Sequence, residues 1–345
     1  MKFTKKEVEQ ALKTITAPGA GENIVDSGAI SNLMIFGDEI DLDIRLQNPT
    51  LQARKKLEVT IMQVIHKKVY AKAKIKINTK VEAPKKAATI SKGKPLPGID
   101  SIIAISSGKG GVGKSTVTAN IAVTLAQMGC KVGVLDADIY GPSIPTMFEM
   151  EGARPLSTKK DGKSKMVPIV NHGVKVLSIG FFTQPDQAVI WRGPMAAKAL
   201  NQLIFDADWG DLDFLLIDLP PGTGDIHLSI VQSLPLNGSV VVSTPQKIAL
   251  ADARKGIAMF NQENIQVPVL GIIENMAYFT PSELPDKKYY IFGQNGAENL
   301  AIDKKVPFLG AIPLVQSIRE SSDVGRPAAL QDGTPIQKSL VDVTR

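Results

Sequence analysis

Two kinds of hydrophobic pattern divide this chain. Up to about residue 79 the apolar positions alternate with polar ones or recur at helical spacing. Phe3 to Ile15 carries Val8, Leu12 and Ile15 at the spacing of one helix face. Leu33–Phe36 and Ile40–Leu46 flank Gly37-Asp38-Glu39 and read as a hairpin, with Ile40, Leu42, Ile44 and Leu46 on one side. Asn48-Pro49-Thr50 is a start signal for a helix running to about Lys68, and Val69 to Ile77 alternates again as a third strand. The expectation is a small α/β domain over residues 1–79. Residues 80–98 have Pro, Gly, Ser and Lys without periodicity, the composition of a flexible linker.

From residue 99 to 345 the pattern changes to continuous apolar runs separated by segments long enough for crossover helices. The runs are Ile102–Ser106, Lys131–Leu135, Val174–Ile179, Phe214–Ile217, Gly238–Ser243, Val269–Ile273 and Phe308–Ile312. Strands apolar on both faces belong to a mostly parallel sheet covered by helices on each side. The predicted class is therefore α/β, a doubly wound P-loop sheet preceded by the small domain.

Composition narrows the picture. Hydrophobic residues make up 43% and aromatics 5%, so the core is expected to be aliphatic. No run of eighteen apolar residues occurs, and the charged N-terminus MKFTKKEVEQALKTI lacks the apolar stretch of a secretory signal. No membrane partner is expected. Cys130 is the one cysteine, which fits a reducing, cytoplasmic compartment. His66, His172 and His227 are scattered without metal-ligand spacing. The net charge of +6 is uneven: 14 Lys+Arg against 9 Asp+Glu in residues 1–80, 4 against 1 in 81–98, and 22 against 24 in 99–345. The basic front is either a surface for an acidic partner or a solubilising lysine-rich stretch. No aromatics interleave it for base stacking, so a nucleic-acid partner is not expected.

The chemistry is concentrated after the first long strand. Gly108-Lys109-Gly110-Gly111-Val112-Gly113-Lys114-Ser115-Thr116 has the spacing GxxxxGK[ST] between a strand and a helix. Glycines let backbone N–H groups curl around phosphate, and the helix after Lys114 points its N-terminus at the same anion. Lys114 is expected to reach the β- and γ-phosphates of ATP, and Ser115 to ligate Mg²⁺. Asp136-Ala137-Asp138 closes the next strand at the edge where open α/β sheets bind ligands. Phe214-Leu215-Leu216-Ile217-Asp218 has the form of a Walker B strand, with Asp218 holding Mg²⁺. Pro220-Pro221-Gly222-Thr223-Gly224-Asp225 follows as a rigid turn, in which Gly222, Thr223 and Asp225 are candidate switch residues.

These motifs carry a specific resemblance. The second lysine, Lys109, resembles that of the deviant Walker A class of ParA, MinD and the nitrogenase iron protein. SSGKGGVGKST, DADIYGPSIP, WRGPM, DFLLIDLPPGTGD, STPQKIALADARKG, IIENMAYF and IFGQNGAENLA, in that order, resemble the Mrp/ApbC family over residues 99–345. The leading domain resembles, more weakly, the small domain of iron–sulfur assembly factors. The resemblance implies an ATP-hydrolysing homodimer in which Lys109 reaches the partner's phosphates. It implies that Asp138 activates the attacking water, while Asp136 serves structure or the magnesium shell. Asn275 would read adenine, and the loop at Pro313 would pack against the base. It further implies a carrier that delivers a [4Fe–4S] cluster to apoproteins and assembly partners. The family's CxxC ligands after the ENMxYF segment are absent here, where Thr280-Pro281-Ser282-Glu283-Leu284-Pro285 stands, so no iron–sulfur ligand is identified. A switch ATPase acting on a partner without holding a cluster is the alternative. Arg192 is open between a subunit or nucleotide contact and a surface ion pair. Pro245-Gln246-Lys247 reads as a helix start.

Overall fold

The structure is a computed structural model and describes residues 3–16, 23–47, 51–82, 93–160, 162–182, 193–281, 283–284 and 287–345. The chain divides into two compact units, Met1–Ala87 and Ala88–Arg345. In the first, helix α1 (Lys5–Leu12) is followed by strands β1 (Ile30–Phe36) and β2 (Glu39–Gln47), helix α2 (Leu51–Lys68) and strand β3 (Lys74–Glu82). Thr4 caps α1 through a reciprocal box with Glu7, which satisfies two otherwise orphan N–H groups. The strands form one sheet in the order β1-β2-β3, with β1 antiparallel and β3 parallel to β2. The alternation read from the sequence sends Leu33, Ile40, Leu42 and Ile44 to the helix-covered face. There they join Val8 and Leu12 of α1 and Leu57, Ile61 and Ile65 of α2. The third strand differs from its expected range. Val69 to Ala73 turn out of α2, with the Tyr70 N–H bonded to the Ile65 carbonyl, and pairing begins only at Lys74.

The second unit contains β4 (Ile99–Ser107), α3 (Lys114–Gln127), β5 (Val132–Asp136), the short α4 (Ile144–Met147), β6 (Leu156–Lys160), β7 (Lys163–Val167), β8 (Ile169–Asn171) and β9 (Val174–Ser178). It continues with α5 (Gly193–Phe205), β10 (Leu212–Asp218), α6 (Asp225–Ser233), β11 (Gly238–Ser243), α7 (Lys247–Phe260) and β12 (Val269–Glu274). It closes with α8 (Gly296–Lys304), β13 (Phe308–Ala311), α9 (Gln316–Asp323) and α10 (Pro335–Thr344). Eight strands form one sheet in the order β13-β12-β11-β4-β10-β5-β9-β8, parallel except for β8. Successive residues feed opposite faces. Ile105, Val134, Val176 and Leu216 pack with α3 and α10, while Ala104, Leu135, Leu177, Leu215 and Ile217 pack with α5 and α6. That two-sided burial is why the strands read as unbroken apolar runs.

The structure adds detail to the expected linker and to one segment that the sequence reading passed over. Part of the expected linker is ordered: residues 80–82 lie in β3, and Lys94 donates its N–H to the Ser233 carbonyl at 3.0 Å. Gly93 approaches Leu234 so closely that an added Cβ would meet backbone at 2.2 Å. The rest of the linker, residues 83–92, lies outside the described residues, as do Asn48-Pro49-Thr50 and Trp191-Arg192. The β6–β7 hairpin was also not foreseen. Among the described residues, no helix is long and apolar enough to cross a membrane.

Candidate nucleotide site

Strand β4 is central in the sheet, and its C-terminal end opens directly into the glycine loop. Gly111 and Gly113 take left-handed backbone at φ 81° and 79°. The loop is seated on two close contacts. An added Cβ on Gly108 would lie 2.2 Å from the backbone of Asp252 in α7, and one on Gly113 would lie 2.3 Å from Asn275 Nδ2. α3 then starts at Lys114, with the Gly113 carbonyl accepting from the Val117 N–H at 3.0 Å.

The chemistry sits under this loop. Asp218, at the end of β10, is fully buried. Its Oδ2 accepts from Ser115 Oγ at 2.6 Å and lies 2.7 Å from Lys114 Nζ, and its Oδ1 accepts from Thr118 Oγ1 at 2.7 Å. Lys114 is itself buried, and Asp138 Oδ2 is 3.8 Å from its amine. Parallel pairing of β10 with both β4 and β5 brings Asp218 beside Ile105 and Asp136, which is how two acids 82 residues apart meet. The sequence expectation sent Lys114 to a nucleotide. In this structure its amine is paired with Asp218.

Asp136 turns away from the cavity. Its oxygens accept from the N–H groups of Asp138 and Ile144 and from Ser178 Oγ, so it shapes the loop that presents Asp138. Burial first, then the neighbouring Asp218, push its carboxyl up to about 7, against the pull of Lys114. Burial also raises Asp138, again opposed by Lys114. Gly222, at φ 85°, ties the turn after β10 to β4 by donating to the Ser107 carbonyl at 3.0 Å. Thr223 is exposed, and so is Asp225, which begins α6. Lys109 is half-buried, and its amine forms no ion pair among the described residues.

A cavity of about 190 Å³ lies over these groups, lined by Ser107, the loop from Gly110 to Thr116, Asp138, Ser143, Met147 and Pro221. Asn275 is beneath the loop: its amide nitrogen donates one hydrogen to the Val112 carbonyl at 2.8 Å. Pro313 is buried just after β13. Its loop is joined to that of Asn275, because the Ala277 N–H donates to the Ile312 carbonyl and the Ile312 N–H to that of Glu274.

Thr118 escaped the sequence reading. Its signal was its place one helical turn after Lys114, on the same face of α3. The Ser115 hydroxyl and the Asp218 carboxylate are hard oxygen donors 2.6 Å apart, which suits Mg²⁺ sharing its shell with substrate phosphates. Cys130 lies on the α3–β5 connection, where burial and then Asp213 push its thiol up, away from the thiolate a soft metal needs.

Comparison with known proteins agrees with this architecture. Residues 98–345 match the family described as NUBPL iron-transfer P-loop NTPase, and residues 5–77 match that described as Iron-sulfur cluster assembly protein. An "Iron-sulfur cluster carrier protein" of Synechocystis sp. is 40% identical over 344 residues, covering 99% of this chain and 96% of that protein. A protein of the same description from Escherichia coli (strain K12) is 50% identical over 262 residues, covering 74% and 69%. A nucleotide-binding protein from Archaeoglobus fulgidus, solved in complex with ADP, is 41% identical with a TM-score of 0.60, covering 70% of this chain and 91% of that one. The chain belongs to the NUBPL iron-transfer P-loop NTPase family.

Proposed function

We propose that this protein binds and hydrolyses ATP in the cavity over Lys114 and uses the cycle to carry iron–sulfur clusters to apoproteins. The observation that carries the nucleotide half is the buried pair Lys114 and Asp218, with the Ser115 hydroxyl bonded to it, beneath a glycine cradle. Backbone N–H groups of residues 110–114 receive the phosphates, and Lys114 exchanges Asp218 for their oxygens. Mg²⁺, when held by Ser115 and Asp218, supplies positive charge to the β- and γ-oxygens. Asp138 orients a water for attack on the γ-phosphorus. The bond to the β–γ bridging oxygen breaks, ADP leaves with that electron pair, and the water's proton goes to solvent through Asp138. Lys109, without an ion pair among the described residues, is available to serve a second subunit's nucleotide, and a cytoplasmic homodimer is then the working form. Asn275 Oδ1 and the Pro313 loop flank the base, and Gly222 to Asp225 respond to the γ-phosphate. The domains that do this are residues 1–79 and 99–345.

The cargo half rests on the full-length similarity to a cluster carrier. The segment around residue 280 carries no cysteine, and burial and then Asp213 push the Cys130 thiol up. That favours a second reading, in which the ATP cycle acts on a partner that supplies the thiolates. Anaerobic reconstitution with iron and sulfide on wild type and Cys130→Ser, with metal and sulfide counts, separates the two. A cluster retained in Cys130→Ser supports the carrier with other ligands. ATPase activity with no cluster, alone or with an apoprotein, supports the partner-directed switch. Failure to bind ATP or ADP with Mg²⁺ would end both.

A further inference from the structure

His227 belongs to the first turns of α6 and is buried, at 2% exposure. Its Nδ1 is 3.1 Å from the carbonyl oxygen of Pro220, the residue that opens the switch turn. A carbonyl oxygen only accepts, so Nδ1 carries the ring proton and donates it. Nε2 is then a bare lone pair, buried and without a partner among the described residues. The ring tilts against Phe260, at the end of α7, with centroids 5.9 Å apart. Burial holds the imidazole's pKa down to about 4, Lys114 pulls the same way, and the Pro220 bond opposes both.

An aliphatic side chain would fill this core position without stranding an acceptor, and a buried acceptor without a partner is unfavourable. The compensating feature of the imidazole is its one bond, to a carbonyl that is itself buried. Pro220 and Gly222 are the two fixed points of the turn: the first is held by His227, the second by Ser107 at the end of β4. Between them stands Pro221, in the wall of the phosphate cavity. We propose that His227 is a positioning residue of the nucleotide site, a strut that sets where Pro221 and the following turn stand over the phosphates. This rests on the reading of that cavity as the nucleotide site.

Three variants of the full chain test it. His227→Asn places an amide nitrogen near the Nδ1 position, His227→Gln places it near Nε2, and His227→Leu removes it. Loss of one such hydrogen bond should lower kcat for ATP about ten-fold in the Gln and Leu variants. Binding of fluorescent ADP and the KM for ATP should stay within about two-fold, and the Asn variant should keep kcat within about two-fold. Ring ¹⁵N shifts should show the Nδ1–H form in wild type. Amide exchange at Gly222 and Gly224 should be faster in the Gln variant than in the Asn variant. Equal impairment of Asn and Gln variants, wild-type kcat in a folded Leu variant, or an Nε2–H ring would each overturn the strut. If wild type binds no ADP, the nucleotide reading fails, and the exchange and ¹⁵N measurements still decide whether the strut exists.

Discussion

Lys114 and Asp218 are both buried and 2.7 Å apart, so each is the other's main compensation for leaving water. Removing one partner of such a pair strands a charge, which costs about 3–5 kcal/mol. The Ser115 and Thr118 hydroxyls still serve Asp218 in Lys114→Met, so the urea midpoint of that variant should report a loss near the lower end, about 3 kcal/mol. Nucleotide binding should be lost with it, whereas Lys109→Ala should bind ATP and fail to turn it over. Normal turnover in Lys109→Ala would remove its proposed role across a subunit boundary. His227 gives a pH signature. Its folded pKa, about 4, lies below the ordinary 6.5, so between those values the unfolded chain takes up a proton that the folded ring refuses. Its contribution to stability is present above pH 6.5 and is lost as pH falls towards 4. Asp136 works the other way: raised from 3.8 to about 7, it makes the fold more stable as pH falls through that window. The readable quantity is therefore the stability of wild type relative to His227→Leu in denaturant titrations, which should fall from pH 7 to pH 4. An unchanged value would mean that the folded ring takes up its proton as readily as the unfolded one.

At the scale of elements, what the sequence disclosed depended on whether a segment is organised by its own periodicity or by a distant neighbour. The seven apolar runs of residues 99–345 all became strands, because two-faced burial writes itself into every position. Helix α3 starts at Lys114 as its motif requires. The β6–β7 hairpin was missed because both strands are mostly solvent-exposed, and residues 156–167 hold four lysines and no apolar alternation. It is fastened instead by the Met166 backbone to Asp206 and Asp208, a contact 40 residues away. The same limit explains Asn275, whose bond to Val112 spans 163 residues, and the pairing of Lys114 with Asp218. The motif supplied which residues form the site, and the sheet supplied what they touch. Glycines in the loop separate two kinds of constraint. Gly108→Ala would drive a Cβ into α7 backbone and should cost about 3 kcal/mol, the upper end for overpacking. Gly111→Ala meets nothing within 4 Å and should cost about 1 kcal/mol, from its left-handed backbone alone. Equal chemical-denaturation midpoints for the two variants would contradict the packing of α7 on the loop.

For the whole molecule, the division into units Met1–Ala87 and Ala88–Arg345 puts each hydrophobic core within one unit. Residues 93–345 expressed alone should bind ADP within about two-fold of the full chain, since every residue lining the cavity lies in that unit. A large loss of affinity would give the leading domain a direct part in the site. The basic excess of residues 1–98 is separate from that chemistry, and residues 99–345 are slightly acidic. The position of β4 also constrains how the protein is made. Its sheet neighbours, β10 and β11, begin only at residues 212 and 238. Long-range pairing of this kind forms late, because the intervening chain must first be closed into a loop. During synthesis the glycine loop therefore leaves the ribosome well before either flanking strand exists to hold it. The growing chain carries the apolar β4 with neither sheet neighbour until Asp218 has emerged and with one edge unpaired until Ser243 has, the interval in which a chaperone has most to protect.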